Sequence, residues 1–196
     1  MIQEMQLGQA QAKPMDIVGF LAWEERQELR HEFDGVHATA MAGGTIAHGA
    51  IQFGIAGALR AHLRGKPCRP YGSEVKIQTG NGIRYPDAFV VCTPLVPRAT
   101  VVGDPVVIFE ILSEGTEKED LVVKAAEYQS MASVQRYIVL QQTHRVAMVY
   151  SRRGDGWDFG FVSGEGAMLD MPEIGIRVPL AEIYEDITLE SDIPAQ

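Results

Sequence analysis

Cationic side chains are scarce in this chain. It carries 17 Lys and Arg against 26 Asp and Glu, a formal charge of −9. That balance excludes a protein that coats nucleic acid through bulk positive charge. It leaves room for a local basic patch, or for an anionic substrate held through a bound metal. Cysteine is also scarce. Cys68 and Cys92 fit no metal-ligand spacing. Both are expected to be reduced thiols, Cys92 within a buried strand, in a reducing, cytoplasmic interior. No apolar run approaches the roughly 20 residues that cross a bilayer, so no membrane partner is expected. Residues 1–15 lack the apolar stretch of a signal peptide and read as a polar lead-in. At 196 residues, the remainder, 16–196, reads as one domain.

Several chemistries are missing as well. His31, His37, His62 and His144 share no zinc spacing. Ala42-Gly-Gly-Thr45 lacks the Gly-Lys-Ser/Thr of a phosphate loop. No Gly-x-Ser-x-Gly nucleophile turn is present.

What is present alternates between helical and strand patterns. Asp16 can cap a helix containing Phe20, Trp23 and Leu29, closed by His31-Glu32-Phe-Asp-Gly35. Asp34-Gly35 turns into a strand over Val36–Met41. Ile51, Ile55, Leu59 and Leu63 recur at helical spacing within a helix from about Thr45 to Leu63. Gly49, Gly54 and Gly57 lower its propensity but permit close packing. Strands follow over Cys68–Ile77, Arg84–Cys92 and within Val101–Leu112. Phe89-Val-Val-Cys92 and Val106-Val-Ile-Phe109 are continuously apolar, as for strands covered on both faces. A helix is expected from about Glu117 to Met131, then strands over Arg136–Gln141, Arg145–Tyr150 and Trp157–Val162. The class is α/β with a mixed central sheet flanked by helices and an additional C-terminal hairpin.

The chemistry concentrates on two of these strands. Asp87 follows Tyr85-Pro86 at the head of an apolar run, and Glu110 interrupts Val106-Val-Ile-Phe-Glu-Ile-Leu112. A carboxylate in such a strand is costly to bury unless partnered. Its partner is either a divalent cation shared with Asp87, or an ion pair with Arg84 or Lys124. Two carboxylates and the Ile111 carbonyl would offer Mg²⁺, or Mn²⁺, three hard oxygens. The amine of Lys124 could orient a water or offset charge on a phosphate. This is the equipment of a metal-dependent phosphodiesterase.

Arg30-His-Glu-Phe-Asp-Gly35, Ala47-His48-Gly49, Tyr85-Pro-Asp87, Phe109-Glu-Ile-Leu-Ser113 and Lys124 with Tyr128 together closely resemble the Uma2 family. That is a group of restriction-endonuclease-like proteins that looks like a branch of the PD-(D/E)XK nuclease superfamily. The resemblance covers roughly residues 17–160. It implies a restriction-endonuclease-like fold and a metal-dependent endonuclease acting on DNA. It places Asp87 and Glu110 as metal ligands and Glu32, near the end of the first helix, as an additional acidic ligand. Where a standard member has lysine two positions after the glutamate, this chain has Leu112. The resemblance assigns the missing amine to Lys124. His48, Glu74, Ser113 and Tyr128 are expected around the substrate or behind the ligands. Two other functions fit the same residues. One is a non-catalytic binding or assembly module on the nuclease fold, and the other is a hydrolase of a smaller phosphate ester. Arg60, Arg64, Lys66, Arg69, Lys76 and Arg84 are candidates for a DNA-facing wall. Trp157, Phe159 and Phe161 could join two copies into a homodimer or complete the monomer's core.

Overall fold

The structure is a computed structural model that describes residues 15–113 and 119–189. The polar lead-in, except its last residue, and the expected helix start at Glu117 lie outside the described residues. In chain order the elements are α1 (Ile17–Glu24), β1 (His31–Phe33), β2 (Ala38–Ala40), α2 (Ile46–His62), β3 (Arg69–Gly72), β4 (Lys76–Thr79), β5 (Gly82–Arg84) and β6 (Ala88–Val91). They continue with β7 (Val101–Val102), β8 (Val107–Ile111), a π-helical turn (Glu119–Lys124), α3 (Ala125–Ser130), β9 (Arg136–Leu140), β10 (Val146–Arg153) and β11 (Gly156–Ser163). The chain closes on β12 (Met168–Met171), a 3-10 turn, β13 (Ile176–Pro179) and α4 (Leu180–Ile183).

A six-stranded sheet ordered β11-β10-β9-β8-β6-β3 forms the centre. It is mixed: β8 and β9 are parallel, and the other pairs are antiparallel. All five residues of β8 are buried, as its unbroken apolar run requires. One face packs Val107, Phe109 and Ile111 against Ile51, Ile55 and Leu59 of α2. The other packs Phe89, Ile108 and Val139 against Tyr128 of α3. Gly54 is required where α2 meets α4, because a Cβ there would stand 2.0 Å from the Ile183 carbonyl oxygen. A second sheet, β2-β1-β5-β4-β7, stands beside the first.

The two sheets are joined by one bent ribbon. The sequence reads as continuous strands over Cys68–Ile77 and Arg84–Cys92, and the structure divides each. β3 and β6 pair in the central sheet, and β4 and β5 pair in the second. Between the pairs Gly72–Ala88 and Ile77–Arg84, one strand advances five residues and the other four. The extra residue lies in Ser73-Glu74-Val75-Lys76, opposite Tyr85-Pro86-Asp87. An unequal count of this kind bends and twists a ribbon. Pro86, which has no N–H to give a ladder, sits at the bend. Apolar periodicity carries no mark of a strand changing sheets, so the division was not legible.

Three other expectations are corrected. Asp16 does cap α1, its Oδ1 accepting from the Gly19 amide at 2.7 Å. The helix, however, ends at Glu24, and Glu32 lies on β1 rather than near a helix end. Within the expected Glu117–Met131 helix, the described residues form a π-helical turn over Glu119–Lys124 followed by a short α-helix over Ala125–Ser130. Cys68 and Cys92 are joined by a disulfide rather than being reduced. The pairing of Arg69 with Val91 puts them opposite each other at the end of the β3–β6 ribbon. Among the described residues no helix is long and apolar enough to cross a membrane.

Candidate active site

The site forms where the bent ribbon meets β8. Ala88 pairs with Phe109, which sets Asp87 opposite Glu110 on adjacent strands. Side chains directly opposite on such a pair share one face. Asp87 Oδ2 accepts the Ile111 amide at 2.7 Å, tying the ribbon bend to the end of β8. Its Oδ1 lies 3.3 Å from His48 Nε2, brought by the first turn of α2. Thr45 caps that helix by accepting the His48 amide. The contact with Asp87 favours the imidazolium and raises the His48 pKa.

Glu110 is 4% exposed. Its Oε1 accepts from the Tyr128 hydroxyl at 2.8 Å and from Lys124 Nζ at 3.2 Å. Burial, reinforced by the nearby Asp87, Asp120 and Glu32, pushes its carboxyl up to about 8 despite Lys124. Burial also keeps the Tyr128 phenol protonated, so it acts as a donor. Lys124 is 3.2 Å from Asp120 and 3.4 Å from Glu32 as well. Burial opposes its charge, but Glu110, Glu32 and Asp120 outweigh that and hold its pKa above the ordinary lysine value. It is therefore an ammonium, suited to orienting rather than removing protons. Leu112 packs against the α3-side core. Lys124, at the end of the π-helical turn, brings an amine to Glu110 from the helical side.

Glu32 occupies the centre of the charge network. Its Oε1 accepts the Tyr85 amide at 3.1 Å and its Oε2 accepts from Arg84 at 3.1 Å. Arg84 also meets Glu127 at 2.6 Å and Glu119 at 3.1 Å. Five carboxylates (Glu32, Glu110, Glu119, Asp120 and Glu127) thus meet two permanent cations, Lys124 and Arg84, and a sixth, Asp87, meets His48.

This surplus of anionic oxygen is what a divalent cation requires. Among the described residues no group of three or more His, Cys, Asp or Glu side chains is placed so that it could hold a metal ion. A smaller donor set, Asp87 and Glu110 in register with the Ile111 carbonyl, is what could hold one. Such a set fits Mg²⁺, which keeps several waters rather than demanding an all-protein shell.

Residues 18–181 match a family described as "Uma2: Putative restriction endonuclease". The chain belongs to the Uma2 family. A curated relative, the uncharacterized protein slr1290 of Synechocystis sp. (strain ATCC 27184 / PCC 6803 / Kazusa), is 30% identical over 172 residues, spanning 86% of this chain and 90% of its own. A crystal structure from Anabaena variabilis ATCC 29413, of "a putative nuclease belonging to DUF820", superposes with a TM-score of 0.74. It shares 15% identity and covers 87% of this chain and 98% of that one, a likeness of fold.

Within this Uma2 chain the geometry gathers Asp87, Glu110, Lys124, Glu32, Tyr128 and His48. It does not gather Glu74, whose side chain is 80% exposed and paired with Arg30. Ser113 ends the first described segment, just beyond β8. Asp120, Gln52 and the Arg84–Glu127 pair were not picked out as site members by the sequence. Asp120 had a signal in hindsight, since it precedes Lys124 by four residues, one turn away. Gln52, four residues after His48, and Glu127, three after Lys124, carry the same kind of spacing. The supposed DNA wall is not a wall. Lys76 is buried against Glu24, and Arg84 is spent within the site. Lys66 donates to the Gly175 carbonyl, and Arg69 to the Lys66 and Cys68 carbonyls. Arg60 and Arg64 lie toward the far end of α2 and just beyond it, roughly 18 Å or more along the axis from His48.

Proposed function

We propose that this chain is a metal-dependent endonuclease that hydrolyses DNA phosphodiester bonds. The observation that carries the reading is the registered carboxylate pair, Asp87 opposite Glu110, with the Lys124 ammonium 3.2 Å from Glu110. Asp87, Glu110 and the Ile111 carbonyl would hold Mg²⁺ or Mn²⁺, with Glu32 reaching it directly or through water. When bound, such an ion offsets charge building on the phosphate and acidifies its water. Lys124 orients the attacking water or a phosphate oxygen. Tyr128 fixes the Glu110 carboxylate through its hydroxyl, and His48 holds that of Asp87.

Incubation of supercoiled plasmid and single-stranded DNA with the protein and Mn²⁺ or Mg²⁺ tests this reading. Nicking or linearisation that stops with chelator is the expected result. The dispersed basic side chains favour a second reading, hydrolysis of a smaller phosphate ester. Turnover of bis(p-nitrophenyl) phosphate without any cutting of DNA would select it. Metal binding without turnover of either substrate would select a binding module.

Two further results are expected. Glu110 prefers its proton in the folded protein, because its pKa is raised from 4.5 to about 8. Its contribution to stability is therefore present at low pH and is lost as pH rises from about 4.5 to 8. Glu110→Gln should remove that dependence and flatten metal-free stability across this window, as read by urea unfolding at stepped pH. Second, the reading includes a homodimer through β11, the edge strand on which Phe159 and Phe161 are exposed. Sedimentation at micromolar concentration should give a dimer mass that falls to monomer in the Phe159→Lys, Phe161→Lys double variant. A wild-type monomer would reject it.

A further inference from the structure

Gln52 lies on α2 one turn beyond His48, so both side chains reach the same end of the sheet. Its side-chain nitrogen donates to the Asp87 carbonyl oxygen at 3.1 Å and to Ser73 Oγ at 3.1 Å, and it stands 3.5 Å from Asp87 Oδ1. These acceptors belong to the two strands of the ribbon at the place where it changes sheets. Ser73 lies on the strand with the extra residue, and Asp87 lies on the strand with Pro86. The regular ladder is interrupted here, so the bend depends on side chains to fix it. Arg30 supplies a second tie, donating to the Ser73 carbonyl at 2.9 Å.

The residue type matters as much as the position. A primary amide brings two N–H donors and no charge. Lysine or arginine at 52 would set a cation against Asp87 and compete with a divalent ion for it. An apolar residue of the same length would leave the Asp87 carbonyl without this donor. Glutamine ties the bend and leaves the negative surplus of the site untouched.

We propose that Gln52 is a positioning residue, holding the Asp87 backbone and carboxylate in the orientation that faces Glu110. This inference rests on the reading of Asp87 as a metal ligand. Asp87 is then fixed from three directions: by the Ile111 amide, by His48, and by Gln52 through its main chain. Gln52 touches neither metal nor substrate and acts only through Asp87.

Calorimetric titration of the intact protein with Mn²⁺ tests the assignment, alongside kcat and KM on DNA. Gln52→Met keeps the length and removes the donor. It should weaken Mn²⁺ binding by about 10- to 100-fold, the usual effect of losing a group that orients a ligand. It should also lower kcat while KM for DNA stays at the wild-type value. Ser73→Ala removes only the other acceptor, and its Mn²⁺ affinity should remain close to wild type. Gln52→Glu, equal in size but with an oxygen against the Asp87 carbonyl, should weaken binding in the same direction. It serves as the comparison should the methionine variant not fold. If wild type binds Mn²⁺, Asp87→Ala does not, and the Gln52 variants bind like wild type, Gln52 has no positioning role and the metal reading stands. If wild type binds no Mn²⁺, or Asp87→Ala binds as well as wild type, the metal reading and this inference both fall.

Discussion

Asp87→Ala and Glu110→Gln should each lower metal-dependent DNA cleavage by about 10³-fold or more, the equivalent of about 4 kcal/mol of lost transition-state stabilisation. Single-turnover cleavage assays over a range of Mn²⁺ concentrations would measure it. Both substitutions remove one of the two registered carboxylates, but they differ in what else they remove. Asp87 also accepts the Ile111 amide at 2.7 Å. Alanine leaves that partly buried donor without its partner, at a cost of about 1–3 kcal/mol. Glutamine at 110 keeps an oxygen for Tyr128 and Lys124 and removes a charge that burial opposes. Asp87→Ala should therefore lose both activity and stability, whereas Glu110→Gln should lose activity and gain stability near pH 8. If Glu110→Gln still cuts DNA at the wild-type rate, the carboxylate pair is structural and the nuclease reading fails. A loss of activity in Glu110→Gln without a loss of stability is the diagnostic result, since misfolding does not produce it.

The contrast between these two residues also marks what the sequence made legible. Glu110 announced itself because a carboxylate within a strand apolar on both faces is anomalous, and an anomaly of composition needs no coordinates. Asp87 was marked by Pro86 before it and an apolar run after it. Their mutual register was not legible, since it depends on how β6 and β8 pair across 22 intervening residues. Glu32 was placed near a helix end because Phe20, Trp23 and Leu29 extend an apparent helical pattern. The structure ends α1 at Glu24 and uses the next stretch to bring Glu32 in on β1. The bent ribbon was hidden for a related reason: alternating and continuous apolar runs look the same whether a strand keeps to one sheet or passes to another. The helix lysine was legible as an amine following the carboxylate strands, and the resemblance assigned it the place left open at Leu112. Its three carboxylate partners come from β1, β8 and its own π-helical turn, a convergence that only the fold can make.

That convergence makes Lys124→Met the most disruptive single change expected in the site. Lys124 is 8% exposed and stands within 3.4 Å of Glu110, Glu32 and Asp120. Methionine fills the space without the charge and leaves three carboxylates facing one another. Removing one partner of a buried ion pair typically costs about 3–5 kcal/mol, and here three anions lose the same cation. Urea unfolding at pH 8 should show a loss of that order. The loss should shrink toward pH 5, because Glu110, whose pKa is raised in the folded state, takes up its proton there and the folded state gains as pH falls. A divalent cation bound by the folded protein should restore part of the stability at pH 8 by mass action. It should not restore cleavage, because metal replaces the charge of the ammonium but not its hydrogen-bond donors. Recovery of stability without recovery of cutting separates the two duties of Lys124: holding the anionic cluster together and orienting the water or phosphate. If Lys124→Met is as stable as wild type at pH 8 and cuts DNA at an undiminished rate, neither duty exists, and the amine missing at Leu112 has no replacement in this chain.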